Sequence, residues 1–148
     1  MPRSSRLFLF PDVNVWVALT WEGHVHHSSA RSWFETLAEE SRIGFCRFTQ
    51  ISLLRLLTTP AVMGGDAMTQ SEAWDAYDRW LTDDRIVFLQ EPAGIEPSFR
   101  ALSRWPHSNS KLWADAYLAA FATLEGMLLV TFDPGFEGRL EHLLILRP

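Results

Sequence analysis

Short apolar runs, closed by proline, glycine or aspartate, alternate along the chain with longer stretches of helical spacing. Residues 6–10 are apolar on both faces and predict a buried strand that stops at Pro11-Asp12. Residues 13–21 predict a helix despite their valines, because Asp12 can cap it and Gly23 can end it. A second helix opens at His26-His27-Ser28-Ser29, with Ala30, Trp33, Phe34 and Leu37 at core spacing. Residues 45–48 predict the next strand, and 51–57 a helix that must end before Pro60. Thr69 and Glu72 have the form of a capping box for a helix through Leu81. A strand at 86–89, a short helix at 94–103 and a loop at 105–110 follow. The most apolar helix of the chain comes next and stops at Gly126, ahead of strands at 127–131 and 143–146.

Helices alternating with strands imply a mostly parallel sheet covered on both faces, an α/β class three-layer sandwich with about five strands. Right-handed crossovers would bring several strand ends to one rim. No repeat or internal linker interrupts the 148 residues, so one domain is expected over 1–148.

The 47% hydrophobic content supplies a core, and a net charge of −5 argues against a broad nucleic-acid-binding surface without excluding an acidic site neutralised by metal. The one cysteine, Cys46, rules out an intrachain disulfide framework and reads as core in a reducing compartment. Arg3 and Arg6 precede an apolar run, but that run breaks at Pro11 and lacks a small-residue cleavage site. No stretch reaches the ~20 apolar residues of a membrane span. A soluble, cytoplasmic protein is expected.

Asp115 is the most informative residue. At helical spacing its neighbours are Leu112, Leu118, Ala119 and Ala122, which predicts a carboxylate pointing into a buried face. Left unpaired there, it would cost on the order of several kcal/mol. Asp12 and Asp133 stand at the ends of predicted strands, where α/β sheets bind ligands. Each also has an ordinary structural reading, Asp12 as a helix cap and Asp133-Pro134-Gly135 as a turn. Carboxylates sharing a pocket repel unless a cation neutralises them, and Mg²⁺ takes oxygen ligands. His24, His26 and His27, packed at a helix entry, read as caps or surface groups. Arg47, Arg55 and Arg139 lie near segments ending at the rim and are candidates for phosphate contacts. Among the 7 tryptophans, Trp16, Trp33 and Trp113 fit core faces, while Trp21, Trp74, Trp80 and Trp105 are free to anchor a partner.

Phe10-Pro-Asp12-Val-Asn14-Val-Trp-Val, Ala114-Asp115-Ala-Tyr-Leu-Ala-Ala120 and Leu129-Val-Thr-Phe-Asp133-Pro-Gly-Phe136 together resemble a PIN domain. More narrowly, with Phe48-Thr-Gln-Ile-Ser-Leu-Leu-Arg-Leu-Leu57 and Thr59-Pro60-Ala-Val-Met63, the chain is similar to VapC-type toxins of toxin–antitoxin pairs. The resemblance runs from about Leu7 to Leu146. It implies a Mg²⁺- or Mn²⁺-dependent endoribonuclease, a homodimer, and a cognate antitoxin that covers the active site. By position, Asp12 is the first acid, Asp115 the third and Asp133 the fourth, with Asp12 and Asp115 as the metal ligands. Asn14 falls where an asparagine often orients the first acid, and Thr131 at a frequent hydroxyl position. One departure matters: where many members carry a glutamate three residues before an arginine, this chain has Ser52 before Arg55. A serine can hold a metal-bound water but supplies no charge, so a one-metal site is expected; Glu137 and Asp66 are the candidates to compensate. Two rivals remain open. A haloacid-dehalogenase-type phosphatase would want an aspartate at Asn14. A non-catalytic PIN-like module would bind RNA or protein with its acids weakened at Ser52.

Overall fold

The computed structural model describes residues 7–148, so Arg3 and Arg6 lie outside the described residues. The chain runs β1 (Phe8–Pro11), α1 (Val13–Thr20), α2 (His27–Glu35), β2 (Arg42–Cys46), α3 (Arg47–Leu57), α4 (Pro60–Met63), α5 (Gln70–Leu81), β3 (Ile86–Leu89), α6 (Ile95–Ser103), α7 (Leu112–Glu125), β4 (Leu128–Thr131) and β5 (Leu143–Ile145). The five strands form one sheet in the order β3-β2-β1-β4-β5, and every pair is parallel. Central β1 sets Leu9 against Ile43 on one side and Leu128 on the other.

Strand alternation sorts the apolar residues into two cores. Leu9, Ile43, Phe45 and Val130 face α1, α2, α3 and α5, where Trp16, Phe34, Leu53 and Tyr77 meet them. Phe10, Cys46 and Leu129 face the opposite side, against Leu118, Phe121 and Ala122 of α7. The three-layer sandwich expected from the alternation of elements is therefore the fold observed. Among the described residues, no helix is long and apolar enough to cross a membrane.

The junction of β2 and α3 differs from its sequence reading. Residues 45–48 predict a strand, yet the strand is Arg42–Cys46 and Arg47 already begins the helix. Thr49 causes the switch: its hydroxyl accepts the Cys46 N–H at 3.0 Å, closing the first turn where a strand would have continued. Threonine in place of glutamate at that capping position hides the signal. The Thr69/Glu72 box, by contrast, forms as expected, at 3.1 and 2.8 Å. Gly126 ends α7 in the left-handed region at φ 66°, where a side chain would be strained.

Some tryptophan assignments change as well. Trp16 is fully buried and stacks on Phe45 at 3.9 Å, as its spacing implies. Trp80 is tied to the core, edge-on to Trp16 and donating from Nε1 to the Thr20 hydroxyl at 2.9 Å. Trp113, expected inside, is 60% exposed. Trp16→Ala is expected to cost about 3–5 kcal/mol by emptying the centre of the larger core. Urea unfolding checks this; a loss under 1 kcal/mol would mean that the site collapses around the deletion.

Candidate active site

Consecutive strands run outward from β1 in one direction to β3, and the chain then returns to the other side of β1 for β4 and β5. Strand order thus reverses between β1 and β4, the place where an α/β sheet opens a crevice at its carboxyl ends. Asp12 directly follows β1, Thr131 ends β4, and Asp133 follows two residues later. Local turn chemistry fixes each one. Asp12 caps α1, Oδ1 accepting the Val13 N–H at 2.7 Å, while its own N–H donates to Val130 O at 2.8 Å. Asp133 closes the turn after β4, accepting the Gly135 N–H at 2.8 Å. The cap and turn readings of the two aspartates therefore hold, and both carboxylates stay at the strand ends.

The Thr131 hydroxyl links these pieces. It donates to Asp12 Oδ2 at 2.8 Å and accepts from Asn14 Nδ2 at 3.3 Å and from the Asp133 N–H at 3.0 Å. Asn14 Oδ1 accepts the Phe132 N–H at 3.3 Å, so Asn14 clamps the strand end from α1. One donor and two acceptor sites on a buried threonine are all used.

A cavity of about 750 Å³ opens above this network. Asp12, Asn14, Ser52, Arg55, Asp115 and Asp133 all line it, with Lys111 at its edge. Asp115 is half-buried rather than inside the core, which corrects the sequence expectation. It lies in the first turn of α7, and helical side chains lean toward the N-terminus, so the carboxylate projects at the rim while Ala116, Leu118 and Ala119 bury the stripe. Among the described residues nothing donates a hydrogen bond to it.

Burial pushes the Asp12 carboxyl up to about 6, and the charges of Asp115 and Asp133 add to the rise against the hydrogen bonds from Thr131 and Val13. Burial, and then Asp133, raise Asp115 too. Asp133 goes the other way, because Lys111 Nζ sits 2.9 Å from its Oδ2 and holds it ionised. Sequence reasoning missed Lys111 as a site residue, although it is the only lysine in the chain.

Other residues fall differently from their sequence reading. Arg55 is exposed on the cavity wall, but Arg47 does not line it: its guanidinium lies over the Phe88 ring at 4.7 Å and bonds Gln50. Arg139 feels the Asp115 and Asp133 charges from outside the cavity and donates to Gly135 O at 3.0 Å. Asp66 is occupied by Trp21 Nε1 at 2.9 Å, and Glu137 is exposed away from the cavity, so neither stands in for a glutamate at Ser52. His24 and His26 do line the site, with His26 stacked on Phe132 at 4.7 Å. Only His27 keeps a purely structural place, 2.7 Å from Ala18 O. Proximity of a helix entry to a strand end 106 or more residues away leaves no local signal in the sequence.

Among the described residues no three His, Cys, Asp or Glu side chains form a ready cage for an ion. The donors that face the cavity are nonetheless carboxylates and hydroxyls, and among the described residues neither Asp12 nor Asp115 is held in an ion pair. That set fits a hard cation that keeps much of its water and takes one or two carboxylates. It does not fit a dry, all-protein site.

Fold and site define an α/β protein with acidic oxygen donors gathered at the switch point of a parallel sheet. Comparison with known proteins gives this class a family: residues 9–139 match the PIN domain, and the chain belongs to the PIN-domain family. It is 48% identical over 132 residues to ribonuclease VapC41 of Mycobacterium tuberculosis, covering 86% of this chain and 90% of that protein. Ribonuclease VapC38 of the same organism is 31% identical over 133 residues, covering 84% of each chain. Two solved structures share the fold at a TM-score of 0.68. One is VapBC2 from Rickettsia felis bound to a promoter DNA fragment, 17% identical and covering 95% of this chain and 100% of that one. The other is Mycobacterium tuberculosis VapC20, a sarcin–ricin loop cleaving toxin, 18% identical, with 95% and 99% covered.

An acid with a folded pKa above its unfolded value binds its proton more tightly in the native state. The contribution of Asp12 is therefore complete below pH 3.8 and is lost as pH rises through about 6. In EDTA, stability is expected to fall by about 2–3 kcal/mol across that window, and Asp12→Asn to flatten the fall and melt higher at pH 8. A difference between the two proteins that stays constant with pH would contradict this.

Proposed function

We propose that the chain works as a single PIN-like domain and is the endoribonuclease toxin of a toxin–antitoxin pair, acting in the cytoplasm with Mg²⁺ or Mn²⁺. Membership of the PIN family and the VapC relatives support the activity, and the acid cavity at the switch point carries the assignment of residues. A cognate antitoxin is the expected partner, since the structural neighbours include a VapBC assembly, and the PIN-family resemblance implies a homodimer.

Asp12 and Asp115 would hold the ion, with Asp133 beside them in the same cavity. Bound there, a divalent cation supplies Lewis acidity toward the phosphodiester. The residues of the chain do the positioning. Thr131 fixes the Asp12 carboxylate through Oδ2, and Asn14 fixes Thr131 in turn. Asp133, kept ionised by Lys111, is the acceptor for the proton of an attacking water. Arg55 meets a backbone phosphate on the opposite wall, and Ser52 offers a hydroxyl to a water. Attack on phosphorus then breaks the bond to the leaving oxygen, with charge stabilisation as the largest contribution. Asn14 is wholly engaged by Thr131 and Phe132, which leaves no aspartate pair for phosphatase chemistry of the haloacid-dehalogenase kind.

Incubating total tRNA with purified protein and Mg²⁺ or Mn²⁺ tests the reading. Cleavage is expected, abolished by EDTA and reduced about a hundredfold or more by Asp12→Asn or Asp115→Asn. Retention of activity in both variants would sink the assignment of the acids. Absence of cleavage together with no Mn²⁺-dependent rise in melting temperature would identify a binding module disarmed at Ser52.

A further inference from the structure

In a chain of net charge −5, residues 97–114 carry Arg100, Arg104 and Lys111 and not one carboxylate. The same stretch contributes Trp105 and Trp113, 61% and 60% exposed, among the most exposed large apolar side chains of the described protein. Glu96, Phe99, Arg100, Arg104 and both indoles line a second cavity of about 480 Å³ between α6 and α7. Phe99 meets Trp113 edge-on at 6.2 Å and Tyr117 edge-on at 5.8 Å, which steadies the Trp113 ring from one side. Glu96 holds Arg100 at 2.8 Å, whereas Arg104 has no polar partner among the described residues.

The first turn of α7 separates this cavity from the acid site. Ser110, Lys111, Ala114 and Asp115 line the acid cavity, and Trp113, between them in sequence, lines the second. A strand leaving the acids must therefore cross the first turn of α7, beside the exposed Lys111, before it reaches the indoles. Exposed aromatic faces flanked by guanidinium groups are what unpaired bases require: the rings stack the bases and the cations follow the backbone. The one carboxylate lining this cavity, Glu96, is already held by Arg100, so the surround of the indoles stays cationic through Arg104 and suits a phosphate backbone better than the apolar face of a protein helix.

We infer that Trp105 and Trp113, with Arg104, form a stacking subsite for unpaired nucleotides of the RNA that flank the bond to be cut. This inference rests on the ribonuclease reading of the acid site.

The test uses a fluorescently labelled, single-stranded RNA oligonucleotide in EDTA, with binding read by anisotropy, alongside metal-dependent cleavage of the same RNA. Trp105→Ala and Trp113→Ala are each expected to weaken binding about tenfold and to raise KM rather than lower kcat. Trp113→Phe is expected to recover most of the loss, and Trp74→Ala, exposed elsewhere, to change nothing. A fully paired RNA duplex is expected to show no tryptophan dependence. Melting temperatures report whether each variant folds. Unchanged binding in both alanine variants overturns the subsite; if they also convert dimer to monomer by light scattering, the surface joins two copies instead. Cleavage that depends on Asp115 but not on the tryptophans would overturn this inference alone. Tryptophan-dependent binding without any cleavage would overturn the nuclease reading and leave the subsite standing.

Discussion

A carboxylate at the junction of the central strand and the first helix has to be kept in place while nearly buried, and the rest of the site follows from how that is done. Asp12 is 7% exposed, and burial alone disfavours its charge. Two hydrogen bonds oppose that penalty, one from its own helix and one from Thr131 on the neighbouring strand. The second exists only because β1 and β4 are parallel neighbours in register, so that both end at one rim. Sheet topology is thus a requirement of the site and not merely its support. Asn14, bridging from the first turn of α1 to Thr131 and Phe132, ties the same strand ends together a second time.

Much of this was legible in the sequence because it rests on local rules. Four of the strands and most of the helices follow from apolar period and capping residues, and Asp12 and Asp133 announce themselves at strand ends. What stayed hidden depends on contacts between distant segments or on where a helix starts. Asp115 looked internal because its neighbours are apolar, yet a helix beginning at Leu112 places it in the first turn, at an open rim. Trp113 shared the same misreading, for α7 has only part of its girth against the sheet. Arg47 seemed poised at the rim as part of a strand, and the early start of α3 turned it onto Phe88. The His24–His26 wall of the cavity belongs to a loop whose sequence reports only its own turn.

Charge is what sets the three carboxylates apart. Asp12 and Asp115 are raised while Asp133 is lowered, so the carboxylates are not equivalent, and the one lysine of the chain sets the difference. A lysine suits that place better than an arginine would, being a compact, mobile point charge on an exposed stem that can yield to an incoming cation or phosphate. Ser52, which also lines the cavity, adds no charge to it.

The central claim is that Asp12 is a buried acid held ready for a cation. The most direct measurement is its carboxyl carbon titration by ¹³C NMR, with EDTA and with Mg²⁺. The expected midpoint is about 6 without metal, falling when Mg²⁺ is added. A midpoint near 3.8 in EDTA that Mg²⁺ does not move would contradict the account.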